Sequence, residues 1–219
     1  MRKLSKFLII TILCFLTFMP VSVWASAPVF TDISGHWAES VIEKFFYEDI
    51  ISGFPDGSFR PDQDVTRAQL ARIITLAFDL NEENQFNYLD ADPEAWYYGY
   101  LKFTTGFIPA YQFRGFFVGS HAAHRIDVTE TLVLIKMHME DLEIDIPPLE
   151  DVYRYIRSTF KDSDFYFGDI RIQNVQRLFY YTWLGVHMGI IEGDPYGYFR
   201  PAWGITRAEL LTMIYRIRG

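Results

Sequence analysis

Cysteine is nearly absent from this 219-residue chain, where Cys14 stands alone. One cysteine excludes an intramolecular disulfide. Positive charge is the next scarcity: 20 Lys and Arg stand against 28 Asp and Glu, a net charge of −8. Nucleic-acid binding rests on neutralising phosphates with Lys and Arg, so this balance argues against that class of partner. An anionic ligand would have to be held by local arginines against an unfavourable background field. Long apolar runs are also missing, because nothing beyond Phe18 approaches the roughly 18 residues of a membrane span. No nucleophile elbow, P-loop or H-E-x-x-H motif is present, and no cofactor is implied. A glycosidase needs two carboxylates facing a cleft. The acids here are numerous, but no pattern singles out a pair.

The N-terminal stretch is the first positive feature. Arg2, Lys3 and Lys6 precede an apolar run from Phe7 to Phe18, Pro20 breaks it, and Val23-Trp24-Ala25 ends on a small residue. Residues 1–25 therefore read as a cleavable secretory signal, with an uncleaved anchor as the alternative. Leu13 is not the small residue that a lipoprotein site at Cys14 would need. Cleavage after Ala25 would remove Cys14 and three positive charges, leaving a cysteine-free chain of net charge −11 that depends on its core. The expectation is a secreted protein that has no membrane association once the signal is removed.

Repetition sets the architecture. GFPDGSFRPDQDVTRAQL (Gly53–Leu70) and GDPYGYFRPAWGITRAEL (Gly193–Leu210) lie 140 positions apart without a gap. Ahead of the first, Trp37, Val41 and Phe45 alternate with Ala38, Ile42 and Phe46 at four-residue spacing, the mark of an amphipathic helix. Asp56-Gly57 marks a turn. Thr66-x-x-Gln69 and Thr206-x-x-Glu209 read as capping boxes that start second helices. Leu70, Ile73, Ile74 and Ala77 form an apolar stripe, matched by Leu210, Met213, Ile214 and Ile217. A worn middle copy places Asp90 and Trp96 much as Asp32 and Trp37 stand. Its second helix is expected to be capped by Asp127, with Glu130 in the third position. The expected division is 30–80, 87–138 and 160–219 for three units, with 139–159 as an acidic, proline-broken connector. Neither helix of a unit can bury an apolar face alone, so the copies should fold together.

F-x-D, W-A, D-G-x-F-R-P and T-R-A-[EQ] occur in this order, and with them the chain resembles the S-layer homology family. The likeness is strong in the first and last copies and weak in the middle one. The resemblance implies a mainly α, three-repeat spindle around a central helical bundle. It also implies non-covalent attachment to a secondary cell-wall polysaccharide, often pyruvylated, with ligands seated between neighbouring repeats. Residue by residue it points to Arg67 and Arg207, Asp32, Trp37 and Trp96, with Asp90 and Asp162 as looser matches. In the expected register Val128 takes the arginine position of the middle copy and Arg177 takes the tryptophan position of the third.

The residues themselves support more than one role. A guanidinium at the first position of a helix can present a planar fork to a carboxylate, or it can pair with an acid across a repeat interface. Arg60 and Arg200 are expected to brace their loops. Trp37 either stacks on a sugar or belongs to the core. Tyr111, Phe113, Phe116 and Phe117 around Arg114 would form an adhesive patch if exposed, which makes another envelope protein the alternative partner. His121-x-x-His124 is a weak metal candidate.

Overall fold

The computed structural model describes residues 29–110, 115–163 and 175–219; the signal stretch and Tyr111–Arg114 lie outside them. Among these residues the protein is helical with no extended strand. The helices are α1 (Glu39–Tyr47), α2 (Arg67–Ala77), α3 (Tyr98–Thr104), α4 (Arg125–Glu140), α5 (Leu149–Thr159), α6 (Val175–His187) and α7 (Arg207–Arg218).

Helices of one repeat pack on the next repeat rather than on each other. α2 packs on α3, α4 on α6, and α7 on α1, which closes a ring of three seams. The axis of that ring is a triangle of main-chain bonds. Val65 N donates to Ile205 O at 2.9 Å, Ile205 N to Ala123 O at 3.1 Å, and Ala123 N to Val65 O at 2.9 Å. All three residues are fully buried. Just outside the triangle, the first amides of each inner helix donate into the neighbouring loop. Arg67 and Ala68 reach His121 O and Gly119 O, Arg125 and Ile126 reach Trp203 O and Pro201 O, and Arg207 and Ala208 reach Gln63 O and Pro61 O. Helix starts leave amides without intrahelical partners, and here another repeat supplies the acceptors.

This bonding fixes the register of the middle copy and corrects the expected one. Arg125, not Val128, is the counterpart of Arg67 and Arg207, and Val128 is the counterpart of core Leu70 and Leu210. The N-cap of α4 is His124 with no side-chain cap bond, so Asp127 does not cap the helix. α2 and α7 carry complete capping boxes, in which Thr66 accepts from Gln69 N and Thr206 from Glu209 N.

The loops share one aspartate clamp in all three copies. Asp32 accepts from the amides of Phe59 and Arg60, Asp90 from Phe117 and Val118, and Asp162 from Phe199 and Arg200, at distances of 2.7 to 3.0 Å. The second residue of each pair has positive φ: Arg60 60°, Val118 53° and Arg200 56°. That conformation is unfavourable for a β-branched residue, and the two charge-assisted bonds from Asp90 hold Val118 in it. The middle loop has thus lost the FRP sequence but keeps the clamp and the positive φ.

Two expectations change. Phe117 is only 1% exposed and stacks under Tyr88 and Tyr97 at 5.4 and 5.6 Å; it is core, not adhesive surface. The stretch read as a connector contains α5, whose Val152 and Ile156 are buried and whose Tyr153 meets Phe179 of α6 edge-on.

Candidate functional site

The arginines at the starts of the inner helices do not project as open forks. Arg67 is 1% exposed; its Nε donates to Phe117 O at 2.5 Å and its Nη2 to Pro109 O at 2.6 Å. Arg207 is 5% exposed and repeats the arrangement on the first repeat, with Nε to Phe59 O at 2.9 Å and Nη2 to Ser52 O at 3.3 Å. Its guanidinium also lies over the Phe59 ring, 4.2 Å from the centroid. Burial lowers the Arg207 pKa to about 10, with Asp32 working in the opposite direction. It therefore remains charged at neutral pH.

The outward fork expected of both arginines is replaced by a fork that ties one repeat's helix to the next repeat's loop. The difference between them is access. Arg207 still contributes to the wall of a cavity, whereas none of the described cavities has Arg67 in its wall.

That cavity is one of two beside Trp96. The first, about 300 Å3, is bounded by Ser52, Phe54, Gln69, Arg72, Trp96 and Arg207, among others. The second, about 430 Å3, runs over Thr66, Gln69, Trp96, Tyr97 and Gly119. Both contain Gln69 of the first repeat and Trp96 of the second, so the two adjoin, and the first also reaches Arg207 of the third repeat. Gly119 allows this close packing, since a Cβ there would come within 2.7 Å of the Tyr97 ring. Trp96 is 60% exposed and Arg72 is half-buried, its Nη1 donating to Ile50 O at 3.0 Å. An exposed indole beside two guanidiniums suits a sugar ring carrying a carboxylate. A larger cleft of about 530 Å3 lies among Phe78, Asp79, Glu82, Phe107 and His138; its charged walls are mainly acidic and suit an anion poorly.

The other sequence-predicted residues divide into two groups. Asp32, Asp90 and Asp162 clamp their loops. Trp37 is 62% exposed and lies outside the core, with His36 tilted against it at 5.3 Å. Arg60 binds Asp56 at 3.0 Å and Arg200 binds Asp194 at 2.8 Å, so both brace their loops. Arg177, 140 positions after Trp37, is bound to the buried carboxylate of Glu130, with Nε 2.7 Å from Oε1. His124 Nδ1 is 3.7 Å from Asp127, but no group of three or more His, Cys, Asp or Glu among the described residues is arranged to hold a metal ion. No helix among them is long and apolar enough to cross a membrane.

Sequence reasoning missed Gln69 and Arg72 as groove residues, and Arg125 as the middle-copy counterpart of Arg67 and Arg207. A usable signal existed for Arg125: Phe59 to Arg67, Phe117 to Arg125 and Phe199 to Arg207 are all eight positions apart.

The model of the S-layer homology domain matches residues 29–71 and 186–211. The chain therefore carries S-layer homology repeats in its first and last units. Over 80 residues, or 36% of this chain, it is 34% identical to the surface-layer 125 kDa protein of Lysinibacillus sphaericus, covering 7% of that protein. Over 48 residues, or 22% of the chain, it is 38% identical to the cellulosome-anchoring protein of Acetivibrio thermocellus, covering 11% of it. A longer match spans 190 residues, or 85% of the chain, at 24% identity with 9% of an amylopullulanase from Thermoanaerobacterium thermosulfurigenes. The chain thus corresponds to a small fraction of each of these relatives.

Proposed function

We propose that this protein is a non-enzymatic module that binds an acidic polysaccharide of the bacterial cell wall, with pyruvate-ketal carboxylates as the recognised group, and so is held at the cell surface. The observation carrying this reading is the exposed Trp96 between two adjoining cavities, with Arg72 and Arg207 in the wall of one of them. The indole supplies a stacking face for a sugar ring, and the guanidiniums supply charge in a protein that is otherwise acidic. Surface-layer and anchoring proteins among the relatives support the same assignment.

Retention on purified wall sacculi tests it. The wild type should sediment with sacculi, Trp96→Ala should stay in the supernatant, and Trp203→Ala should behave as wild type. Trp203 is also exposed, at 54%, but lies outside the groove. Equal retention of all three proteins would remove Trp96 from the site. Failure of the wild type to sediment, with capture of an envelope protein instead, would move the function to protein binding.

A further inference from the structure

The three seams of the ring use the same positions, yet one differs in charge. At each seam the arginine of one repeat approaches the third helical residue of the next. Arg67 Nη1 lies 3.7 Å from Asp127 Oδ2. Arg125 is joined to Glu209 through Oε1, while Oε2 of the same carboxylate accepts from Thr206 N at 2.9 Å. One side chain thus completes the helix cap and neutralises the neighbour's arginine. The position two residues along at the remaining seam is Gln69. Its Oε1 accepts from Thr66 N at 3.0 Å, and where Glu209 has a second carboxylate oxygen Gln69 has a neutral amide nitrogen, a donor that cannot receive a guanidinium. Arg207 binds main-chain carbonyls instead and shares a cavity wall with Gln69 and Arg72.

The position three residues further on repeats the contrast. Arg72 stands there in the first repeat, and Glu130, already bound by Arg177, stands there in the second. Asp62 of the first repeat, whose Oδ1 is 3.3 Å from His36 Nε2, has as its middle-copy counterpart the neutral Ser120, in the wall beside Trp96. Among the described residues, no carboxylate lies within ion-pair distance of Arg207 or Arg72.

We infer that Gln69 is the specificity-determining residue of the protein: its uncharged amide leaves Arg207 and Arg72 without an ion-paired carboxylate in the cavity wall they share with Trp96, while Asp127 and Glu209 serve as built-in anions that occupy Arg67 and Arg125. The assignment of the ligand rests on the glycan reading above; the charge asymmetry does not. Only one of the three arginine positions is then open to an acidic ligand.

Gln and Glu both complete a capping box, as Gln69 and Glu209 do here, so the charge can be changed while the cap is kept. The probe is polysaccharide released from S-layer-bearing sacculi, with dextran as the neutral control, titrated against the full chain. Gln69→Glu should weaken acidic-glycan binding at least tenfold with the thermal midpoint nearly unchanged. Gln69→Ala, which loses half of the cap but adds no charge, should lower the midpoint and bind within about threefold of wild type. The reverse pattern, with Gln69→Glu binding normally and Gln69→Ala not binding, overturns the inference and leaves Gln69 a cap alone.

A second arm needs no glycan. Iodide quenching of Trp96, taken as the difference between each protein and its Trp96→Phe counterpart and normalised to acrylamide, should fall at least twofold in Gln69→Glu. Equal quenching overturns the inference. Should the wild type ignore the glycan while the iodide difference persists, the glycan reading falls and the anion-selective seam stands.

Discussion

Arg207 and Phe59 are 148 positions apart, and the guanidinium of one is hydrogen-bonded at 2.9 Å to the main-chain carbonyl of the other while stacking on its ring. Arg67 stands in the same relation to Phe117, 50 positions away. A residue type usually assigned to surfaces thus acts as an internal tie between repeats.

Replacing Arg67 by alanine should therefore act mainly on stability. Two carbonyls would lose their charged donor and Asp127 its cation. Breaking a buried charged arrangement of this kind costs about 3–5 kcal/mol. Arg67→Lys should restore little, because one ammonium cannot span the carbonyls of Phe117 and Pro109 as a fork does. Arg125→Ala, at a side chain that is 19% exposed, should cost about 1 kcal/mol. Urea midpoints for the three variants check this ordering, and equal losses for Arg67→Ala and Arg125→Ala would refute it.

The aspartate clamps should matter equally in all three loops despite their unlike sequences. Asp32→Asn, Asp90→Asn and Asp162→Asn each keep one acceptor and set an amide nitrogen against the second backbone N–H. Each should cost on the order of 2 kcal/mol. A negligible effect at Asp90 would mean that the middle loop holds Val118 by other means.

Helix capping offers a gain. His124 has the extended backbone of an N-cap, with φ −74° and ψ 147°, but makes no side-chain cap bond. His124→Thr should supply the oxygen that Thr66 and Thr206 already provide, raising stability by about 0.5–1 kcal/mol. Thr66→Ala and Thr206→Ala should lower it by similar amounts. Thermal melts of the three variants decide the point.

Acidity should have two opposed effects. Burial raises the pKa values of Asp127 and Glu130, partly offset by Arg67 and Arg177 respectively. Groups raised on folding contribute stability that is complete below their unfolded pKa and lost as pH rises through the folded one. Asp56 and Asp194 are lowered, Asp56 chiefly by hydrogen bonds from Ser58 and Asp194 by the amides of Tyr198 and Tyr196 outweighing its desolvation. Their contribution is present above the unfolded pKa and lost as pH falls through the folded one. The stability optimum should then lie in mildly acid solution, just above the ordinary carboxylate range of about 4. Urea midpoints across pH should peak there, and Asp127→Asn should flatten the decline on the neutral side. A midpoint that rises steadily from pH 4 to 8 would contradict this.

Much of the architecture was legible because repetition doubles the signal. The Thr66 and Thr206 caps and the apolar stripe of α2 are local patterns read at two places, whereas Asp32 and Asp162 were picked out as ligand contacts and their clamping of the loops was not read. Asp90 was found in the worn copy because Trp96 follows it at six positions, close to the five that separate Asp32 from Trp37. The arginine of that copy was missed because its register was counted back from Glu130, an acid that only imitates a capping residue, when Phe117 would have given it directly. Burial of Arg67 and Arg207 was not legible. Their acceptors are main-chain carbonyls of another repeat, and carbonyls carry no residue code. α5 was hidden by Pro147-Pro148 and its acids, although Val152 and Ile156 already stood one turn apart.

The triangle formed by Val65, Ala123 and Ile205 has a consequence for synthesis on the ribosome. Its first corner leaves the exit tunnel long before its third, so the opening repeat waits with its half of α7's docking surface uncovered until the final inner helix arrives. Native pairing of this kind spans most of the chain and favours slow, all-or-none closure over stepwise accretion. A nascent chain halted before residue 205 would be a substrate for chaperones rather than a folded two-thirds of the protein.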